Sequence, residues 1–557
     1  MKLNLIKQLS RSLVITATAS FLLCAGKPAS AASPVGDVVG KVSVGYQGWF
    51  ACNGDGSPMN NWWHWANNWG AQPSSGNNSI KSWPDVAEYT ATYQTAWANL
   101  GNGQPAKLFS SYDQQTVNTH ALWLQQNGID TMALQRFNPN GGEANRDGMA
   151  TRVRTAAETY GRKFYIMYDV SGWTAMQSEI KTDWTSKMSA LTSSSAYAKQ
   201  NGKPVVCIWG FGFNDSNHPW SAAVCLDVVN WFKGQNCYVI GGVPREWRTG
   251  VGGSRAGYLG VYHAFNMLSP WLIGAVGNVS DADNIYNNYM VPDQSDCNAN
   301  GIDYQPCVLP GDLSIPGQRS HGDLMWRMFY NAKRAGCQGI YISMFDEYNE
   351  GNQIAKTAEN AAMIPVGSGF HCLNEDGTDC SSDYYLRLTG DGGKMLKGTI
   401  GLTATRPTNP GGSRPQNGSV FHIICEQSGK ALDNGGSTAE GAQVNQWADQ
   451  SGNINQEWKT VDVGGGYYNL ICQKSGKDLD NSGSTADGTI MKQWTVQGGN
   501  NNQHWKFVSS LGYYNVICQV GGKALDNGGS TTDGTAVKQW TVGSGNVNQQ
   551  WFLKFVR

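Results

Sequence analysis

The sequence predicts an α/β (β/α)8 TIM-type barrel followed by an all-β domain of threefold internal symmetry. Two observations carry this. Between residues 41 and 348, eight apolar, β-branched or aromatic runs alternate with helical stretches, and the end of the chain holds three copies of one motif. A third observation separates the two regions: TRPTNPGGSRPQNGS (405–419) is rich in Pro, Gly and Ser.

The 557 residues exceed one ordinary domain and divide as 1–31, 32–404, 405–417 and 418–557. The first segment reads as a signal peptide. It has Lys2, Lys7 and Arg11, then the apolar SLVITATASFLLCAG, then an Ala29-Ser30-Ala31 cleavage pattern, so secretion is expected. Leu23 stands before Cys24 where lipid attachment wants a small residue. No later segment has the roughly 18 uninterrupted apolar residues of a membrane span.

Lys and Arg number 41 against 42 Asp and Glu, with no long run of either sign. This excludes nucleic acid and anionic membrane as principal partners, since both demand a basic face. Charged residues are only 15%, while 69 Gly, 22 Trp and 23 Tyr suit flat, neutral, hydroxyl-rich ligands, which are carbohydrates. No metal site or organic cofactor motif is present in the sequence, and a monomer is expected. Export permits disulfides. Cys297 with Cys307 and Cys372 with Cys380 bracket short loops as clips, whereas Cys425, Cys472 and Cys518 are equivalent repeat positions and read as buried thiols.

The eight runs are KVSVGYQGWF (41–50), GIDTMALQRF (128–137), KFYIMYDV (163–170), KPVVCIWGF (203–211), CYVIGGVP (237–244), LSPWLIG (268–274), DYQPCVLPG (303–311) and GIYISMFDEY (339–348). Continuous apolar runs mark strands buried on both faces, as in a parallel sheet under helices. QQTVNTHALWLQQN (114–127) has helical spacing and ends at Gly128. An open doubly wound sheet is the alternative, and it would carry a glycine-rich phosphate loop, which is absent. In a barrel the reactive groups stand where strands end. Those positions hold Tyr46, Gln47, Trp49, Gln135, Arg136, Asp169, Asn214, Asp215, Arg245, Glu246 and Trp271, and the last strand closes with Asp346, Glu347 and Glu350.

Glycoside hydrolysis uses two carboxyls, one donating a proton and one acting as base or nucleophile. Glu347 and Glu350, three apart, share one face if a turn begins there, and their repulsion would split the two pKa values. A solvated acidic loop is the plainer reading of the same spacing. FDEYNEGNQI resembles the closing motif of glycoside hydrolase family 99 and the related family 71/99-like proteins, typically F-N-E-W-x-E-G-T-Q-I. Tyr46-Gln47-Gly48-Trp49-Phe50 is similar to that family's first-strand Y-x-x-W-Y, and the likeness spans about residues 41–360. It implies a retaining endo-α-mannosidase-like enzyme. Glu347 would be the base acting on the substrate 2-hydroxyl, through a 1,2-anhydro sugar, and Glu350 the general acid. Tyr46, Trp49, Arg136, Asp169, Trp271, Asp346 and Tyr348 would contact substrate. The chain departs from the pattern at Asp346, Tyr348 and Asn349, and Gly48 replaces a proline. Substrate choice is expected to be decided at the three departures around the Glu pair.

The repeats are strand-like pieces joined by Gly/Asn/Ser turns, with Asp433, Asp480 and Asp526 at equivalent places. Q-x-W recurs at Gln456–Trp458, Gln503–Trp505 and Gln549–Trp551, so the region resembles a ricin-type β-trefoil lectin domain. That resemblance places sugar sites at Asp433, Trp447, Asn455 and Gln456; at Asp480, Trp494, Asn502 and Gln503; and at Asp526, Trp540, Asn548 and Gln549. The physical logic is a carboxylate accepting hydroxyl protons while a ring face covers the apolar side of the sugar. The family's Gln before the stacking aromatic is Asn445, Lys492 and Lys538 here. The chain therefore reads as a secreted glycoside hydrolase held on polysaccharide by a trefoil. The alternatives are a lectin or adhesin whose barrel is inactive.

Overall fold

The computed structural model describes residues 32–139, 141–510 and 513–557, so the signal peptide reading of 1–31 lies outside the described residues. Strands β1 (Val42–Tyr46), β2 (Thr131–Arg136), β3 (Lys163–Asp169), β4 (Lys203–Trp209), β5 (Tyr238–Val243), β6 (Met267–Pro270), β7 and β8 (Ile340–Ile342) pair in parallel, each with the next. β8 returns to β1 through Val42↔Ile340 and Val44↔Ile342, which closes an eight-stranded barrel. β7 is split: Asp303–Tyr304 pairs with β6 and Cys307–Val308 with β8. Pro306 sits in the break, having no N–H to give the ladder.

All eight apolar runs become strands. They are continuous rather than alternating because both faces are covered; β2 and β5 are buried at every position. The barrel interior is packed: the Tyr341 hydroxyl lies 3.4 Å from the sulfurs of both Met167 and Met344. The outer layer includes α1 (Gln114–Gln126), α2 (Glu143–Tyr160), α3 (Met176–Asp183), α4 (Ala222–Gly234), α5 (Asp323–Ala335) and α6 (Tyr384–Leu396). Between β1 and α1 the chain makes a long excursion with a hairpin, Tyr93–Asn99 against Pro105–Leu108.

The disulfide expectation is corrected. All twelve cysteines among the described residues are buried free thiols. Cys307 faces Leu272 and Ser343 inside the sheet, whereas Cys297 lies on a helix beside Asp293 and Asp296, so the two do not meet. Cys372 and Cys380 are likewise unbridged, and Cys425, Cys472 and Cys518 are buried thiols as read.

The second domain is a six-stranded antiparallel barrel capped by three hairpins. Val420–Cys425, Glu457–Gly464, Tyr467–Cys472, Trp505–Ser510, Tyr513–Cys518 and Trp551–Phe555 close on themselves. Each repeat donates two of these strands and one hairpin. The Q-x-W tryptophans Trp458, Trp505 and Trp551 are fully buried, and their indole N–H groups donate to the carbonyls of Leu432, Leu479 and Leu525 at 2.8, 2.8 and 2.9 Å. No one repeat could bury such a ring alone; three meeting on an axis can.

The connector is not a free tether. Ser413 N–H donates to the Leu553 carbonyl, the Arg414 amide to Glu359, and the Arg414 guanidinium to Asp85 at 2.6 Å. A Cβ on Gly412 would stand 2.4 Å from the Leu553 nitrogen, so only glycine lets the strap lie this close. The strap fixes the trefoil against the barrel.

Candidate active site and sugar-binding lobes

The C-terminal ends of the barrel strands surround a cavity of about 250 Å³. Of the residues predicted for this site, Trp49, Asp169, Trp271, Glu347 and Glu350 line it. Gln47, Gln135, Phe137, Trp209 and Asn352 join them. Two aromatic groups line the cavity. Trp49 stacks on His64 (centroids 3.9 Å apart, 8° between planes) and on Phe137, while Trp209 and Trp271 meet edge to face at 5.3 Å.

Glu347 lies five residues beyond β8, just ahead of a turn, and is 4% exposed. Gln47 Nε2 donates to its Oε2 at 2.7 Å. Burial pushes its carboxyl up to about 8, Glu350 and Asp346 adding to the effect while the Gln47 bond opposes it. Glu350, three residues later, is exposed on the rim of the same cavity. The pair is therefore asymmetric: burial keeps a proton on Glu347 at neutral pH, while the second carboxyl stands exposed on the rim. Among the described residues, buried Gln47 Oε1, Trp49 Nε1, Trp209 Nε1 and Glu347 Oε1 accept or donate no hydrogen bond, and all four belong to residues lining this cavity. Buried polar groups without partners are costly, so their convergence marks a place built for a polar ligand.

Four expected substrate contacts are corrected. Tyr46 is fully buried, its hydroxyl on His120 Nδ1 at 2.9 Å. Arg136 turns outward to Asp183 and Asp147 and lines a separate pocket with Glu143, Trp173 and Lys187. Asp346 is fully buried and accepts the backbone N–H groups of Gln47 and Gly48 at 2.8 and 2.9 Å. The Tyr348 hydroxyl donates to the Lys356 carbonyl. Asn349 is also an anchor, donating to the carbonyls of His64 and Ser79. The physical reason is parity, because successive strand residues point to opposite faces. That holds within β2, where Gln135 faces the cavity and Arg136 cannot; Tyr46, Asp346 and Tyr348 are kept out of it by the buried hydrogen bonds they make.

Two of the departures from the family pattern are one structural device. Gly48 has φ +59° and gives its N–H to Asp346. Proline could do neither. Asp346→Ala should orphan two buried amides and lower stability by about 2–6 kcal/mol, at roughly 1–3 per group, measured by urea denaturation. An unchanged midpoint would remove Asp346 from this role.

Beside Asp169, Ser171 Oγ lies 3.0 Å from His218 Nε2, and His218 Nδ1 lies 2.7 Å from Asp215. The Ser171 and Gly172 amides are already engaged by Asp169 and the Asn217 carbonyl, so no pair of donors is left there for an oxyanion. The trio orients Ser171 into the cleft.

In the trefoil, the three lobes repeat one arrangement. Asp433, Asp480 and Asp526 are 3–5% exposed, with Trp447, Trp494 and Trp540 beside them at 41, 40 and 45%. Asn455, Asn502 and Asn548 are half-buried at each site. Gln456, Gln503 and Gln549 are fully buried and correct the expectation of sugar contact. Their amides bond carbonyls of the loop, Ala448, Thr495 and Thr541, and in the last two lobes also the site aspartate. They hold the site rather than touch its ligand.

The family described as ricin-type beta-trefoil lectin domain-like matches residues 412–494 and 501–556. None of the curated proteins compared matches the chain. Among solved structures, a designed threefold-symmetric protein, ThreeFoil, is 42% identical over 25% of this chain and 99% of its own (TM-score 0.24). An exo-β-1,3-galactanase from Clostridium thermocellum is 36% identical over 28% of this chain (TM-score 0.24), and the chain spans 33% of its length. The family 99 endo-α-mannosidase from Bacteroides thetaiotaomicron is 14% identical over 65% of this chain and 98% of its own (TM-score 0.47).

Proposed function

We propose that this chain, whose C-terminal domain belongs to the ricin-type β-trefoil lectin domain-like family, is a secreted, retaining glycoside hydrolase acting on α-linked glycans. The trefoil binds carbohydrate, and the barrel cleaves it between Glu347 and Glu350. The observation that carries the catalytic reading is the asymmetric carboxyl pair in one aromatic-walled cavity. Retention and α-linkage rest on the closing motif FDEYNEGNQI, and secretion on the composition of residues 1–31.

Burial holds a proton on Glu347 at neutral pH, so Glu347 is the donor to the departing oxygen and Glu350 the carboxylate. This is the reverse of the order the resemblance implies, and the pH–rate profile separates the two. With Glu347 as donor, kcat/KM falls as pH rises through about 8. A rise through that pH would return the family's order. Retention is checked by proton NMR of the first-formed product, and an inverted anomer would remove it.

A further inference from the structure

The three lobes differ at one place beside the sugar site, and this inference deepens the lectin reading on which it rests. On the capping hairpins, Asp433 is registered against Asn445, Asp480 against Lys492 and Asp526 against Lys538. Directly opposed residues on antiparallel strands share a face, with Cβ atoms about 5 Å apart. Each of these three residues therefore stands next to its lobe's aspartate.

The Lys538 ammonium lies 3.6 Å from where a Cβ on Gly528 would be, directly over the loop that begins at Asp526, and Asn445 Nδ2 occupies the matching place in the first lobe. Neither Lys492 nor Lys538 has an ion pair or a side-chain hydrogen bond among the described residues. By contrast Lys430, Lys477 and Lys523 are paired across lobes with Asp533, Glu440 and Asp487. The neighbouring aspartates do not capture the two free ammonium groups. Asp480 accepts the Ser482 amide at 2.5 Å and Gln503 at 3.0 Å, and Asp526 the Gly528 amide at 2.7 Å and Gln549 at 2.9 Å. In the first lobe Asn445 is neutral and accepts from Gln443.

We propose that the second and third lobes select sugars carrying an anionic group, with Lys492 and Lys538 as the specificity-determining residues, while the first lobe takes neutral sugar. The aspartate accepts ring hydroxyls, Trp494 or Trp540 covers the apolar face, and the ammonium meets a carboxylate or sulfate on the same ring.

The test is calorimetric titration of the full chain with galactose, galacturonate and galactose 6-sulfate, and with the glucose and glucuronate pair. The expected result is two sites at which an anionic sugar binds at least about fivefold more tightly than its neutral partner. That preference should fade in 0.5 M salt, where the Debye length is only a few ångströms. Lys492→Gln with Lys538→Gln should erase it while neutral binding persists, and Asn445→Lys should add a third such site. Uronate alone or sulfate alone showing the preference identifies which anion is taken. Neutral binding with no acid preference, or a preference that survives the double substitution, overturns the proposal. Failure of every sugar to bind overturns the lectin reading with it.

Discussion

Glu347→Gln lowers kcat/KM by about a thousandfold or more and makes the folded protein more stable at pH 8 to 9. The first effect follows from losing a positioned proton donor, typically worth about 10² to 10⁴ in rate. The second follows from the carboxyl's raised pKa. Unfolded, Glu347 titrates near 4.5; folded, burial moves it to about 8. Between those values the native state holds a proton that the unfolded state has released. Stability contributed by the neutral, buried form is therefore fully present below about pH 4.5 and is lost as pH rises toward 8. The cost at alkaline pH is a few kcal/mol. The amide cannot ionise, so the substitution removes that cost. Melting temperatures of wild type and Glu347→Gln should agree near pH 4 and diverge by several degrees at pH 8.5, the variant higher. A variant that melts earlier at pH 8.5 would contradict the assignment of a buried, proton-holding Glu347.

Replacing Trp447, Trp494 and Trp540 together with alanine abolishes retention on polysaccharide while leaving the trefoil folded. These rings are 40–45% exposed, so their removal opens no core cavity, unlike loss of the fully buried Trp458, Trp505 or Trp551. On the proposed reading each exposed ring supplies the apolar half of a sugar site whose polar half is an aspartate that is 3–5% exposed. Ring stacking contributes about 0.5–1.5 kcal/mol beyond area burial, and three sites act together on a repeating chain. Affinity electrophoresis in polysaccharide gels should show the triple variant running unretarded, with an unchanged thermal transition. Turnover of small soluble glycosides should be unaffected, because the barrel cavity is separate. Retained binding would mean the ring faces carry none of the affinity.

The contrast between what the sequence disclosed and what it withheld is physical. Strands buried on both faces write themselves as unbroken apolar runs, so all eight were visible. A motif repeated three times exposes its own core, as at Trp458, Trp505 and Trp551. Parity at a strand end is a finer matter. A one-residue step along β2 separates Gln135, which lines the cavity, from Arg136, which turns to Asp183. Trp209, the last residue of β4, is an aromatic that the same rule finds. Asp346 could not be read as an anchor, because its partners are backbone amides some 299 residues away in the chain. The strap at 405–417 reads as a linker by composition, yet Gly412 and Arg414 are there for close approach and a half-buried ion pair. Composition does not distinguish glycine that frees a chain from glycine that lets it pack.

The central claim is that the cavity between Trp49, Trp209 and Trp271 hydrolyses glycosidic bonds with Glu347 and Glu350. Its most direct test is the release of reducing ends from α-mannans, α-glucans and xylans by wild type, Glu347→Gln and Glu350→Gln. The expected result is turnover of at least one of these polymers by wild type and loss of about a thousandfold in each variant. Release by wild type that both variants match would contradict it, as would wild type releasing nothing from any of them.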